Sequence, residues 1–421
     1  MTHATVFIIM DAGRADYVRP ETMPFLHGLA QGGAMTGSFE SPPGFAQRTV
    51  LFSGRYPDTS GNFSQFVFDP ENSPFKWVKG LGPVANVLKP RKAMFPGRVA
   101  IQKITQWKTG AFHTDPAWIP PKFMPYFAMC EDTKPMYDPG ALGAPSIFDL
   151  CRARGLRFRY LAHPVSGDDD EIHELLVRDL RAGAPYDLYV AQFSVTDQRG
   201  HVDGPFSDAM QQVHLRALDR KFASIHAALS AGYDSWDLFI CGDHGMGPVK
   251  QRIDILAKLE ACHARPAKDY VVFVNSTLAV FWYLTETGRR EVEAVLATIP
   301  GTHAVDEAER KQRRIPTERK WGDRMLAAEP GVLFWPDYFH VTDSTIVGMH
   351  GYLDKSEETH GALVLASSSG RVKAGAVGLR PLVDVFPTLC NLLGLPVPDG
   401  QEGTSLLAPG QAPEPPIAAT T

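Results

Sequence analysis

Cysteine is scarce in this sequence: Cys130, Cys151, Cys241, Cys262 and Cys390 are odd in number, scattered, and never in Cys-x-x-Cys spacing. That excludes a cysteine zinc site, argues against a disulfide framework, and predicts reduced thiols in a cytoplasmic protein. Long hydrophobic runs are missing too. Nothing approaches eighteen consecutive apolar residues, so no membrane span is expected. The N-terminal segment has no basic n-region, and its apolar run breaks at Asp11, which reads as a strand and not as a signal peptide. There are no internal repeats. Basic clusters are also lacking: the net charge is -5, which argues against a nucleic-acid polymer as partner and leaves small anionic substrates open, because these are met by local charge. What remains is an ordinary globular composition, 44% apolar and 21% charged. At 421 residues it suits one large α/β domain with insertions, or two domains.

The apolar run Val6-Phe-Ile-Ile-Met10 has the signature of a central parallel strand, and it ends in Asp11-Ala-Gly-Arg14. Open α/β sheets place their sites at the carboxyl ends of such strands; an Asp that merely caps the next helix fits the same residues. Ser41-Pro-Pro-Gly44 predicts a helix start, with Arg48 one turn further in on the same face, and Ser53-Gly54 with Pro57 a helix end. Backbone N–H groups at such a start can hold an anion. From about residue 72 to 143, Pro, Lys, Trp and Phe crowd together without clear periodicity. This stretch reads as a cap over the site, with Lys and aromatic side chains available to substrate, or as a decorated region with a small core of its own.

Regular rhythm then resumes. Ser146–Gly155 is expected to be a helix and Phe158–Ala162 a strand. A helix whose acidic start Asp168-Asp-Asp-Glu complements the helix dipole follows. The strand 187–193 leads into Ser194-Val-Thr-Asp197-Gln-Arg-Gly200-His201, read as a Gly-bearing turn between carboxylate and imidazole. A helix around Ser207–Leu229 and the strand Trp236–Cys241 come next, the strand ending in Gly242-Asp243-His244-Gly245. Residues 270–345 alternate strand-like runs with a helix at Arg289–Ala297, an α+β insertion. Ile346-Val-Gly-Met-His350-Gly-Tyr352 brings back the Asp/His-beside-Gly pattern. A strand at Ala362–Ala366, a helix over Pro381–Leu393 and a Pro-rich disordered tail close the chain.

Asp11, Asp197, His201, Asp243, His244 and His350 thus stand beside glycines at predicted strand ends, three carboxylates and three imidazoles. Such a set can supply two cations with about three protein ligands each, leaving open positions for substrate oxygens.

The motifs Asp11-x-Gly-Arg14, Ser53-Gly-Arg-Tyr-Pro57, Asp197-x-x-Gly-His201-x-x-Gly-Pro205, Asp243-His-Gly-Met246 and His350-Gly-Tyr352 resemble those of the alkaline phosphatase superfamily. They are most similar to the nucleotide pyrophosphatase/phosphodiesterase branch. The resemblance runs in order from Asp11 to about Gly394. It implies an α/β fold: a three-layer αβα sandwich with a mostly parallel central sheet. Residues 1–71, 144–255 and 346–407 would form this metal-binding core, 72–143 the cap, 256–345 a small α+β subdomain and 408–421 the disordered tail. It also implies two divalent ions, zinc first with manganese or iron open, one on Asp197, His201 and His350 and the other on Asp11, Asp243 and His244. The expected partner is a small phosphorylated or other oxyanion-ester substrate. No membrane partner is expected, and a homo-oligomer is left open.

One position departs from the pattern. The family's Thr, Ser or modified Cys nucleophile lies nine residues before the position of Ser53, which is Gly44 here. Its phosphate-binding Asn falls on Gln65, a longer amide, and Arg48 resembles the arginine of the sulfatase signature Cys-x-Pro-x-Arg. Glycine cannot form a covalent intermediate. Three readings follow: a metal-activated water attacks directly; a nearby hydroxyl, Ser41 or Thr49, substitutes; or the chain is a metal- and phosphate-ligand-binding pseudoenzyme, or carries an engineered glycine made to trap substrate. A phosphoryl transferase to an acceptor other than water is the further alternative. The expected function is dimetal-dependent hydrolysis of a phosphoryl-type ester, such as a phosphodiester, nucleotide or phosphonate.

Overall fold

A computed structural model describes residues 2–79, 91–111, 115–130, 134–163, 165–340, 345–354 and 356–407. The expected disordered tail, 408–421, lies outside them, as do parts of the cap. The core is a seven-stranded sheet in the order Gly375–Pro381, Met35–Glu40, Gly361–Ser367, Ser235–Gly242, His3–Met10, Leu188–Phe193, Phe158–Leu161. Every neighbouring pair is parallel except the two made by Gly361–Ser367, which runs antiparallel to both its neighbours.

The central strand shows why its sequence is a continuous apolar run. Side chains alternate between the two faces of a strand. Ala4, Val6, Ile8 and Met10 enter one core, with Leu176, Leu218 and Phe222 of the helices on that side. Phe7 and Ile9 enter the other, with Val50, Phe148 and Phe386. Both faces are covered, so no polar alternation is possible.

Residues 256–345 contain a four-stranded antiparallel sheet, Tyr270–Asn275, Leu278–Tyr283, Arg324–Ala328 and Thr302–Val305. Cap residues Phe75, Phe123 and Phe127 share one hydrophobic cluster with it, and the Phe127 ring centroid sits 5.4 Å from those of Phe273 and Trp282. These cap aromatics are core and are not presented to substrate; Trp118 is likewise buried.

Four local expectations need correction. Asp197 and His201 are joined by a helix, Val195–Asp203, and not by a turn. Gly200 serves packing there, because a Cβ would lie 2.5 Å from Met246 Sδ. The helix expected to start at Gly44 starts at Gln47 and ends at Ser53, with Gly54 left-handed beyond it. Arg48 is therefore not one helical turn after Gly44, and the helix start offers no anion cradle at that residue. Pro381 closes a strand, and the helix expected from there runs over Val385–Leu392.

Candidate metal centre

The carboxyl ends of three adjacent parallel strands bring the expected side chains together. Asp11 follows His3–Met10, and its N–H donates to Phe193 O across to the next strand. Asp243 and His244 follow Ser235–Gly242 and are buried. Asp197 and His201 project one turn apart from the helix after Leu188–Phe193. His350 comes from a different part of the chain, placed by the short antiparallel pairing of Gly348–Met349 with Gly247–Pro248.

The six form two groups, Asp197 with His201 and His350, and Asp11 with Asp243 and His244; the ligand-type atoms of each lie within 4.8 Å of one another. In the first, Asp197 Oδ1 faces His201 Nε2 at 3.2 Å and His350 Nε2 at 3.3 Å. That oxygen is shut off from solvent and makes no hydrogen bond. Ligand atoms about 2.0 Å from a tetrahedral ion lie about 3.3 Å apart, so the spacing fits a shared cation. In the second group, His244 Nε2 is 3.3 Å from Asp11 Oδ1 and 3.8 Å from Asp243 Oδ1. Two backbone carbonyls fix two of the three imidazoles. His201 Nδ1 lies 2.8 Å from Gly348 O and His244 Nδ1 2.9 Å from Gly245 O. A carbonyl only accepts, so each Nδ1 carries a proton, and in the neutral imidazole the Nε2 lone pair is the one available to a metal. His244 and His350 stack at 4.0 Å, which sets the two groups side by side.

Electrostatics say the same for the metal-free protein. Burial pushes the Asp243 carboxyl up to about 7, helped by Asp11 and opposed by His244 and Arg48. Burial opposes protonation of His244, yet Asp243, Asp11 and Asp197 raise it to about 10. Asp197 is held well below the carboxylate range: burial works against this, and His201 and His350 outweigh it. Burial, then His244, lower His350 to about 4. Since His244 holds its proton up to about pH 10, metal must displace it at neutral pH, and affinity rises with pH. Titration calorimetry in buffers of different ionisation heat is expected to show about one to two protons released at pH 7, with no release counting against this arrangement.

The remaining expected residues divide. Gln65 lines a cavity of about 270 Å³ with His201, His350 and Phe45. Arg48 is close enough to Asp243 to lower its carboxyl. Gly44 lines neither cavity beside the metal groups; Pro42, Pro43 and Phe45 around it do. Its φ is +86°, and an added Cβ would lie 2.7 Å from Phe63 Cε2 and 2.9 Å from Phe63 O. Phe63 fills the direction a nucleophile's side chain would take. Thr49 accepts from Asn62 Nδ2 and lines a separate small cavity, away from the metal ligands. Ser41 does line the cavity beside His244, of about 340 Å³.

Two supporting residues went unread in the sequence. Gln192 Nε2 donates to Asp11 Oδ2 at 2.6 Å, leaving Oδ1 turned to His244. Asp169 accepts from Ser194 N and Val195 N, at 2.9–3.1 Å, and so anchors the start of the helix that carries Asp197 and His201. The signals were a lone amide in an apolar strand and a second acidic residue in Asp168-Asp-Asp-Glu.

Comparison with known proteins gives the family and the fold. The family model described as type I phosphodiesterase / nucleotide pyrophosphatase matches residues 5–353. No curated protein sequence matches. Among solved structures, murine ectonucleotide pyrophosphatase / phosphodiesterase 5 superposes with TM-score 0.64 at 16% identity, covering 95% of this chain and 97% of that one. Its human counterpart gives 0.66 at 14%, with the same coverage. An inactive variant of the murine protein in complex with AMP gives 0.65 at 15%, covering 96% and 97%.

Proposed function

We propose, from the premise that this chain belongs to the type I phosphodiesterase / nucleotide pyrophosphatase family, that it hydrolyses a phosphodiester-type bond with two metal ions and without a covalent enzyme intermediate. The observation that carries the reading is the pair of ligand groups whose imidazole Nε2 atoms are freed by Nδ1–H bonds to Gly348 O and Gly245 O. Two divalent cations, zinc by the mixed N/O donor set, would supply Lewis acidity at this site when bound to the two groups.

Each group of three residues holds one ion. Gln192 keeps Asp11 turned toward the second group, and Asp169 fixes the helix bearing the first. Arg48, beside Asp243, meets a phosphoryl oxygen, and the Gln65 amide donates to another from the cavity it shares with His201 and His350. Gly44 takes no covalent part. The AMP bound by the inactive murine relative supports a small phosphorylated ligand. Five free cysteines fit a reducing compartment, so a cytoplasmic location belongs to the same proposal; no described helix is long and apolar enough to cross a membrane.

Metal analysis with a phosphodiester and phosphonate panel tests this. Two bound ions and turnover unchanged in Ser41→Ala are expected. Loss of turnover in Ser41→Ala would assign attack to that hydroxyl. Two bound ions with no turnover on any member would favour the binding protein, and product esters formed with an added alcohol in place of water would favour a transferase.

A further inference from the structure

Among the described residues, two cavities border the ligand groups. One, of about 340 Å³, touches His244 and His350. The other, of about 270 Å³, touches His201 and His350. Met349 and His350 border both, and the segment Pro42–Phe45 runs between them, Pro42 and Pro43 on the first and Phe45 on the second. Phe45 is held there by His350 at 5.4 Å and Phe339 at 6.4 Å, with Gly351 beneath it. A water needs on the order of 15 Å³ of such space. Each cavity is therefore large enough for an organic group; the larger adjoins both metal groups and the smaller adjoins the group of Asp197, His201 and His350.

Their charge decides what those groups are. In the larger cavity the charged side chains other than the metal ligands are Arg313, Arg314, Glu40 and Asp354, which cancel. Neither arginine is uncommitted: Arg313 Nε pairs with Glu309 at 2.7 Å, and Arg314 with Asp58 at 2.7 Å and with Glu402. The rest of its polar lining is neutral, including Ser41, Tyr56 and Gln312. The smaller cavity has no Lys, Arg, Asp or Glu among its described lining residues. It offers the amides of Gln65 and Asn275, and the Asn275 Oδ1 is buried with no hydrogen-bond partner. Among the described lining residues, a second phosphate beside the one held by the metals would meet no uncommitted cation in either cavity, and a desolvated phosphate without one is strongly disfavoured.

We infer that the substrate is an organic phosphodiester with two uncharged arms, one in each cavity, and that nucleoside polyphosphates are poor substrates. The inference rests on the hydrolase reading above and narrows it. The arm in the larger cavity is rich in hydroxyl or amide groups, as suits a lining of paired charges and neutral donors and acceptors. The arm in the smaller cavity carries a donor that meets Asn275 Oδ1 and a flat face for Phe45 and Phe339. In the reaction, water adds to phosphorus, the P–O bond to one arm breaks, and the water proton leaves with that arm as an alcohol.

The test uses the full chain loaded with zinc and two substrates sharing one nucleoside, thymidine 5′-phenyl phosphate and thymidine 5′-triphosphate. Phenol, with a pKa of about 10, is no better a leaving group than pyrophosphate, so a preference for the diester cannot come from intrinsic reactivity. The expected kcat/KM is at least tenfold higher for the diester. Gln312→Lys, which adds a cation to the larger cavity, is expected to raise the ratio of triphosphate to diester kcat/KM at least threefold. Equal or faster cleavage of the triphosphate by the unaltered protein, or no response to Gln312→Lys, overturns the two-arm assignment and leaves the hydrolase reading standing. Turnover of neither substrate with both ions bound overturns the hydrolase reading and this inference together.

Discussion

Gly44→Thr is expected to destabilise the protein and to leave it without a covalent phosphoryl intermediate, although it restores the residue the family's spacing calls for. The backbone φ of +86° lies where β-branched residues are genuine outliers. Even a Cβ would press on Phe63, at 2.7 Å from its ring and 2.9 Å from its carbonyl oxygen. The ring can yield only by disturbing its edge contact with Trp321 at 6.0 Å, inside the cluster shared by the cap and the inserted sheet. Left-handed strain and overpacking together are expected to cost roughly 2–4 kcal/mol. Denaturant unfolding measures the loss. Mass spectrometry of enzyme quenched during turnover checks for phosphothreonine. A fully stable variant that accumulates phosphothreonine would sink the view that Phe63 has taken the nucleophile's space. Glycine here is a requirement of the local backbone.

How far the sequence could be read follows from where each signal lies. The central strand was legible because both its faces are buried, which writes an uninterrupted apolar run at Val6–Met10. The strand Met35–Glu40 was not, because Met-Thr-Gly-Ser-Phe-Glu carries no period of its own. It exists through pairing with Gly361–Ser367 and Gly375–Pro381, more than three hundred residues away. The six metal-type residues were legible because glycines mark the strand ends that present them. The helix joining Asp197 to His201 was hidden, since its apolar content is low and Gly200 imitates a turn; what holds it are Asp169 at its start and Met246 against Gly200. Gln192 supports Asp11 across 181 residues of chain, a relation no local pattern can carry. The vacancy at Gly44 was countable, but its left-handed backbone and the ring of Phe63 were not.

Asp197→Ala is expected to empty the first metal group and reduce kcat/KM by about 10³-fold or more, about 4 kcal/mol of transition-state stabilisation. Among the described residues, Asp197 is the only carboxylate of that group facing His201 and His350, and its Oδ1 has no other hydrogen-bond partner there to serve. Without it two neutral imidazoles must hold a divalent charge in a partly buried site, with no anion to offset the lost hydration. The second group keeps Asp11, Asp243 and His244, so metal analysis should fall from two ions per chain to one. The fold should persist, because the helix is anchored by Asp169 to Ser194 N and Val195 N and by Thr196 Oγ to Asp11 O. Asp197→Asn, which keeps shape and removes charge, should follow the alanine variant in metal content, which separates loss of charge from loss of packing. Thermal unfolding with and without zinc gives an independent readout. The stabilisation conferred by added metal should shrink in both variants as one of two binding events disappears. Two ions retained with undiminished turnover would mean that Asp197 is a hydrogen-bonding neighbour of His201 and His350 and holds no metal.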